Sequence, residues 1–419
     1  MGKTILILGG GVGGLIAANE LRRRLPAEHR IVLVEKKPQH AFAPSFLWLM
    51  TGDRRIEQIA CDIHQLVRPG VEIILAEAQA IDTANRRVET SAQSTGRSET
   101  YPYDYLIIAL GAELAPEAIP GLAEGAHTFF TLDGAEKLRD ALRDFRGGRV
   151  AVVVSALPYK CPGAPHEGAM LIADFFRRRG LRDKVDVHLF TPEPQPMPVA
   201  GPVLGEAVKQ MLTQKGVAFH PMRKLAAVNV AARDLTFEGQ EAPFKYDLLV
   251  AIPPHRGPRV AREAGLTNDA GWIPVERATL RTKHENLYAL GDVTAIPIPG
   301  RWKPDVPLML PKAGVFAHAQ AEVVAQRLVA EIGGASAQGE FPGVGYCMLE
   351  AGESLAGFAF GNFFAEPSPK IAVRQMGRTW HLGKVLFEKW WLAPYGPKRE
   401  ALRLALRLGG RGLGIPIIV

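Results

Sequence analysis

At 419 residues the chain is too long for one ordinary single-core domain, and 47% apolar against 22% charged residues excludes intrinsic disorder and collagen-like repeats. Three cysteines, Cys61, Cys161 and Cys347, are too few for a disulfide framework and lack the close spacing of a zinc site, so no metal is expected. The net charge of +7 is uneven: from Lys370 to Val419 the Lys and Arg side chains are opposed only by Glu388 and Glu400, and the rest of the chain is near neutral, which argues against a nucleic-acid surface.

The first predicted element is the strand 4–8, which begins almost at Met1 and leaves no room for a signal peptide; no apolar run is long enough to span a bilayer. The strand runs into Gly9-Gly10-Gly11-Val12-Gly13-Gly14, an apolar helix to Leu25, and a second strand, 31–35, ending at Glu35. Gly9, Gly11 and Gly14 satisfy G-x-G-x-x-G between a strand and a helix, and Glu35 stands where a dinucleotide unit carries its ribose-binding acid. Gly9 permits the tight turn, Gly11 lets backbone N–H groups approach a pyrophosphate at the helix N-terminus, and Gly14 lets helix and strand pack closely. Glu35 accepts ribose hydroxyls and repels a 2′-phosphate.

Two later segments, Tyr103 to Gly111 and Asn286 to Asp292, are buried strands ending in small-residue turns that contain Ala109, Gly111, Gly291 and Asp292. With the glycine turn they resemble the two-dinucleotide-domain flavoproteins of the pyridine nucleotide-disulfide reductase type. That resemblance implies FAD as cofactor, with the aspartate matching Asp292 on its ribityl or phosphate end. It also implies an α/β fold of two Rossmann-like units: a discontinuous FAD unit, 1–113 with 271–332, and a second unit, 114–270, followed by a C-terminal region, 333–419.

The second unit opens with the buried strand 149–154, but no second glycine-rich turn follows. Ser155 to Glu167 holds three prolines, Leu157, Tyr159 and only one glycine, Gly163, and cannot form a phosphate cradle. NADH binding is therefore expected to be lost. Cys161 occupies the position of the nicotinamide loop, and its neighbours Lys160 and His166 could favour the thiolate. Taken alone, Cys161 and Cys347 read equally well as small buried hydrophobes; Cys61 is read that way.

Tyr159 to Glu167, Pro311-Lys312-Ala313-Gly314-Val315-Phe316-Ala317, the later Cys347, and Lys384-Val385-Leu386-Phe387-Glu388 together resemble sulfide:quinone oxidoreductases and flavocytochrome c sulfide dehydrogenases. The resemblance spans nearly the whole chain. It implies that Cys161 and Cys347 form a redox pair, disulfide or sulfur-bridged, with Cys347 engaging the flavin and Cys161 carrying sulfane sulfur from sulfide. It also places Lys384 and Phe387 on the quinone side. Two departures are visible: the third cysteine of many relatives is missing from 121–138, and His40 to Ser45 offers no thiol for a covalent flavin link, so FAD is expected to be noncovalent. Glu167 and His166 are candidates for proton transfer near Cys161. Lys312 and Gly314 open an apolar helix to about Ile332, whose positive end suits an anionic reduced flavin.

The C-terminal region carries Trp380, Trp390 and Trp391 among lysines, then Arg399, Arg403 and Arg407 at helical spacing, then an apolar tail from Gly412. This pattern fits a peripheral, monotopic attachment to an anionic membrane surface, where a quinone is met. A helix covering the protein's own core or an oligomer contact stays open at this point. The leading expectation is FAD-dependent sulfide oxidation with a membrane quinone as acceptor. Type II NADH:quinone dehydrogenase and flavocytochrome-type sulfide dehydrogenase are the alternatives.

Overall fold

The computed structural model describes residues 2–92, 95–415 and 417–419. In chain order the elements that position the site are β1 (Thr4–Leu8), α1 (Val12–Arg24), β2 (Arg30–Glu35), α2 (Phe46–Met50), β3 (Val71–Leu75) and β4 (Tyr105–Ile108). Next come β5 (Gly148–Val154), α3 (Ala164–Arg178), β6 (Val185–Phe190), β7 (Ala218–His220), β8 (Leu248–Ile252) and β9 (Leu287–Ala289). The last are α4 (Gly314–Ile332), three long strands β10 (Val344–Gly352), β11 (Leu355–Asn362) and β12 (Lys370–Gly377), and the helices α5 (Arg378–Leu392) and α6 (Pro397–Gly412).

The strands form two parallel sheets, each with its first strand in an interior position. In one the order is β9-β4-β1-β2-β3, with Ile5 aligned to Ile31 on one side and Tyr105 on the other. In the other it is β7-β6-β5-β8. Both central strands are buried on both faces, as their unbroken apolar runs (Ile5 to Leu8, Val150 to Val154) require. Ladder pairing of β9 with β4 brings the Gly291-Asp292 turn beside the glycine turn that follows β1, although the whole second unit lies between them in sequence. The third sheet, β10-β11-β12, is antiparallel and delivers Cys347 from its first strand, opposite Ala359 of β11.

The C-terminal region departs from the expectation of a basic helix lying in headgroups. Arg399 is buried, its guanidinium donating to the carbonyls of Trp391 and Ala393 at 2.9 Å and stacked on Trp390, Trp391 and Tyr395. Arg403 and Arg407 both donate to the Val419 carbonyl. The tail is not free either: Ile415 and Val419 are buried, and Val419 joins the core that includes α1 and α4. The arginine row bonds the protein's own carbonyls, because the last turn of chain and the Trp390-Trp391 turn present carbonyls without helical partners, while Arg407 itself stays exposed. What α6 shows to solvent is mixed: Leu404 and Leu408 are both more than half exposed, and Lys398, Glu400, Arg407 and Arg411 are exposed as well.

α5 is fastened to the first unit by a buried charge. Glu388 is fully buried, accepts from Ser45 Oγ at 2.5 Å, and takes the Arg54 Nε at 3.1 Å. Removing one partner of such a pair leaves the other charge uncompensated in the interior. Glu388→Ala should therefore destabilise the protein by about 3–5 kcal/mol, visible as a lowered denaturation midpoint, while Glu400→Ala on the exposed side of α6 should leave the midpoint nearly unchanged.

Candidate active site

Three glycines shape the end of β1. Gly9 has φ +101°, and a side chain there would meet the Ala109 carbonyl at 2.5 Å. A Cβ on Gly14 would lie 1.8 Å from the Gly9 carbonyl, whereas one on Gly11 would meet nothing within 4 Å. The turn is thus closed on the protein side and open on the outer side, where a ligand's backbone contacts would be made. Glu35 accepts from Gly10 N at 2.6 Å and from Lys37 N at 2.9 Å, which fixes the carboxylate at the rim of this opening. Gly111, with φ +70°, lies beyond the end of β4 and also has open space around it.

The Gly291-Asp292 turn stands on the start of α4. Gly291 N donates to Gln320 Oε1 at 2.7 Å, and Gly314, the first residue of α4, approaches Val12 of α1. Asp292 Oδ1 is buried and has no hydrogen-bond partner among the described residues. An orphaned carboxylate oxygen between two dinucleotide-type turns fits the hydroxyls of a bound flavin nucleotide. Lys312 Nζ donates to the Asp292 carbonyl at 2.6 Å and the Thr294 carbonyl at 3.0 Å, and lies 3.4 Å from the centre of the Trp272 ring. Burial lowers its pKa to about 8. Among the described residues no group of three or more His, Cys, Asp or Glu could hold a metal ion.

A cavity of about 600 Å³ adjoins this turn, and both Cys161 and Cys347 line it together with Lys312, Trp272 and Glu193. The Cys161 loop is pinned over the start of α4, since Cys161 N donates to the Lys312 carbonyl at 2.7 Å. Cys161 itself has φ +57°, a left-handed backbone that a non-glycine residue holds only where its surroundings impose it. Cys347 approaches from β10, and a Cβ placed on Gly163 would lie 3.2 Å from its Sγ and 3.6 Å from Glu167 Oε2. Both thiols are free. Cys61, paired with His40 across a short antiparallel bridge, is not in the cavity lining.

Two expectations about the surroundings of Cys161 are overturned. His166 is fully buried, with Nδ1 against the Pro162 carbonyl at 3.2 Å, its ring beside Phe219 and Nε2 without a partner. It does not line the cavity, and burial lowers its pKa to about 4, so it is a neutral packing residue of α3. Nor do the neighbours favour a thiolate. Burial and the Glu167 charge push the Cys161 thiol up to about 12 and the Cys347 thiol well above its ordinary value. Lys384 opposes this rise only in part.

Glu167 is the acidic group at the cysteines. Its Oε1 accepts from Glu350 N at 2.9 Å and from Lys384 Nζ in a buried ion pair, yet burial still raises its pKa. Lys384 is thus drawn to the sulfur side of the site, while Phe387, one turn on, packs against Phe42 and Trp390. Glu193, absent from the residues singled out by sequence, is the acid that lines the cavity. It accepts from Tyr159 at 2.9 Å and Thr191 at 3.2 Å, and burial raises its pKa to about 7. A carboxylate just past the second strand of the second unit, in Thr191-Pro192-Glu193-Pro194, is the signal that could have found it. Glu350 and His381, joined at 2.9 Å, were also missed, because nothing local marks them.

Residues 3–321 match the family described as pyridine nucleotide-disulphide oxidoreductase. A sulfide-quinone reductase from Aquifex aeolicus is 29% identical over 403 residues, covering 94% of this chain and 91% of that protein. A mitochondrial sulfide:quinone oxidoreductase from Mus musculus is 28% identical and covers 70% of this chain and 66% of that protein. A type II NADH:quinone oxidoreductase from Staphylococcus haemolyticus is 24% identical over 78% of this chain and 82% of that protein. The crystal structure of the Aquifex aeolicus sulfide:quinone oxidoreductase superposes with a TM-score of 0.81 at 25% identity, covering 97% of this chain and 92% of that one. With the glycine turn, the orphaned Asp292 oxygen and the cysteine-lined cavity in one place, the chain belongs to the pyridine nucleotide-disulphide oxidoreductase family, as an FAD-binding flavoenzyme of the sulfide:quinone oxidoreductase-like kind.

Proposed function

We propose that the protein oxidises sulfide to sulfane sulfur through Cys161 and Cys347 and passes the electrons to a membrane quinone. The observation that carries this reading is the convergence of Cys161 and Cys347 on one cavity, from a loop and a strand separated by most of the second unit. In this reading 1–113 with 271–332 is the FAD unit, 114–270 the second Rossmann-like unit and 333–419 the C-terminal region. FAD, when bound, supplies the two-electron acceptor that thiol chemistry lacks and delivers the pair to the quinone.

The chain's own residues have the following parts. Gly9, Gly11 and Gly14 admit the pyrophosphate to the end of β1, Glu35 takes ribose hydroxyls, and Asp292 holds the ribityl side, with Ala109, Gly111 and Gly291 keeping the adjacent turns narrow. The absence of a thiol between His40 and Ser45 makes the attachment noncovalent. Lys312 and the α4 N-terminus at Gly314 place positive charge where reduction adds negative charge. With the cysteines joined as a disulfide, hydrosulfide attacks the Cys161 sulfur, a Cys161 persulfide forms and Cys347 leaves as the thiolate. Glu167 is the base for the persulfide proton, and the Lys384 charge holds the departing Cys347 thiolate. Phe387 remains our quinone-side residue.

NADH as donor is disfavoured by the start of α3. A pyrophosphate needs free backbone N–H groups at a helix N-terminus, but here Pro165 has none and Glu167 brings a buried carboxylate into the first turn. Membrane attachment rests on a different face from the arginine row. Leu382, Leu404, Leu408 and Leu413 are exposed on α5, α6 and the following turn, beside exposed Lys398 and Arg411. Among the described residues no helix is long and apolar enough to cross a membrane, so the attachment is monotopic.

Anaerobic titration tests the reading directly: sulfide should bleach the flavin absorbance and a short-chain quinone should restore it, whereas bleaching by NADH alone would replace it with the dehydrogenase reading. Cys161→Ser and Cys347→Ser should each abolish sulfide-dependent bleaching, and Cys61→Ser should leave it intact. The raised thiols give a pH test as well. In the reduced protein, alkylation of Cys161 should keep rising well past the ordinary thiol pKa of about 8.5, because its thiolate forms only near a pKa of about 12; a plateau at the ordinary value would contradict the burial argument.

A further inference from the structure

Among the described residues the cavity is lined by one acidic side chain, Glu193, and one basic side chain, Lys312. Lys312 is committed, since its Nζ donates to the Asp292 and Thr294 carbonyls and lies against the Trp272 ring. Glu193 is committed on one side alone. It is 7% exposed, and the hydroxyls of Tyr159, at 2.9 Å, and Thr191, at 3.2 Å, both donate to Oε2. Oε1 carries no hydrogen bond among the described residues, and it is not sealed off as the orphaned Asp292 Oδ1 is. On a side chain that lines the cavity, an oxygen neither bonded nor sealed faces that cavity.

The backbone fixes where this oxygen stands. Glu193 N donates to Thr191 Oγ1 at 3.2 Å, closing a short turn just past β6, and the Glu193 carbonyl accepts from Met222 N at 3.1 Å. The Tyr159 hydroxyl also lies 3.5 Å from the carbonyl of Pro162, the residue after Cys161. Carboxylate and Cys161 sulfur are thus held on one frame and face one cavity. The walls beside them, Leu157, Met197, Val199, Leu204 and Met309, are apolar. A buried carboxylate without a cationic partner is costly, and two hydroxyls stabilise its charge only in part. Burial accordingly raises its pKa to about 7. A cation entering the cavity would complete the ion pair, and the walls suit a short carbon chain behind it. Nothing there receives a carboxylate on the same ligand, because Lys312 is already bonded.

We propose that Glu193 docks the ammonium group of a small aminothiol whose sulfur accepts the sulfane sulfur from Cys161. The proposal rests on the sulfide reading of the same cavity and names the class of acceptor that clears the persulfide. The aminothiol sulfur attacks the outer sulfur of the Cys161 persulfide. A new S–S bond forms on the aminothiol as the Cys161 S–S bond breaks and Cys161 leaves as the thiolate. The thiol proton of the aminothiol ends on Cys161, and the outer sulfur keeps its own. The products are an aminothiol persulfide and a reduced cysteine pair, with no net oxidation in the transfer.

Cysteamine, 2-mercaptoethanol and 3-mercaptopropionate test this, because they carry an ammonium, a hydroxyl and a carboxylate at similar reach from sulfur. With sulfide and a short-chain quinone, kcat/KM for each thiol is compared between the wild type and Glu193→Gln, so that the intrinsic acidity of the thiol cancels in the ratio. Glu193→Gln should lower the value for cysteamine on the order of tenfold, the loss of one charge-assisted contact, leave 2-mercaptoethanol within about twofold, and raise 3-mercaptopropionate. A carboxylate that merely braces Tyr159 would change all three alike or none, and either result would overturn the proposal. Should the variant fail to fold, the wild type decides: propylammonium should compete with cysteamine and propanol should not, and equal effects of the two would overturn it. A last arm needs no turnover. In the reduced, FAD-loaded protein, 2-aminoethyl methanethiosulfonate should modify Cys161, mapped by peptide mass, faster than its anionic 2-sulfonatoethyl analogue, by a margin that collapses in Glu193→Gln. Failure of sulfide to bleach the wild-type flavin would remove the functional reading and with it the acceptor role, whereas an unchanged margin would remove the ammonium site itself.

Discussion

The buried ion pair between Glu167 and Lys384 is the contact on which the site depends. Glu167 comes from the first turn of α3, in the second parallel sheet's layer, and Lys384 from the middle of α5, so the pair locks the Cys161 loop against the strand that carries Cys347. Dehydrating both charges costs several kcal/mol per ion, and mutual attraction recovers this only when the remaining hydrogen-bond capacity is met. Here the Glu350 N–H and the Met348 carbonyl meet part of it. Two apolar side chains of similar size could hold the same elements together with no such cost. An apolar pair could not oppose the rise in both thiol pKa values, nor take the base role proposed for Glu167. The polar solution is therefore explained by chemistry at the cysteines rather than by stability.

In the proposed reading, the same helix start explains how a dinucleotide-type unit would lose its dinucleotide without losing its architecture. The sheet β7-β6-β5-β8 and helix α3 keep the strand-helix order of the first unit, since the apolar runs that specify them are untouched. Only the connection changes. In the first unit α1 begins four residues after β1 on a glycine turn whose outer side is open. In the second, α3 begins ten residues after β5, and the intervening loop folds down to hydrogen-bond Lys312 of the first unit. The space a nicotinamide would reach is taken by Cys161, and the helix end that would meet phosphate is taken by Glu167. Glu193, just past β6, likewise turns inward to Tyr159 instead of facing a ribose.

What could be read in the sequence, and what could not, follows from the range of the interactions. The glycine turn was legible residue by residue, because the roles of Gly9, Gly11 and Gly14 depend on backbone a few positions away. The strand ends at Ala109 and Asp292 were legible because buried strands with small-residue turns have a local signature. The pairing of Cys161 with Cys347 needed a resemblance, since no local rule joins positions in a loop and in a distant strand. His166 was misread for the opposite reason: nearness in sequence to Cys161 suggested nearness in space, but one helical turn swings its ring onto Phe219 and away from the cavity. Glu350 and His381 carried no mark at all, because their contact depends on which faces of β10 and α5 meet.

The terminal charge excess takes on a different meaning once its members are placed. Lys384 and Arg399 are buried, and Arg403 and Arg407 hold the Val419 carbonyl, so part of the excess stabilises the fold from within, while Lys370, Arg374, Arg378, Lys389, Lys398 and Arg411 stay exposed. Trp391 extends this inward role, donating from Nε1 to His40 at 2.8 Å, while His40 in turn contacts the Gly10 carbonyl in the glycine turn. The C-terminal helices are thus hydrogen-bonded to the cofactor turn on one side while presenting Leu404 and Leu408 to solvent on the other. Binding to a bilayer through such a face scales with buried apolar area, with a smaller contribution from exposed basic residues such as Lys398 and Arg411. Screening acts on that smaller contribution alone. In the proposed reading, attachment through α6 would accordingly combine an apolar contact with charge, on helices that are hydrogen-bonded to the turn for the flavin.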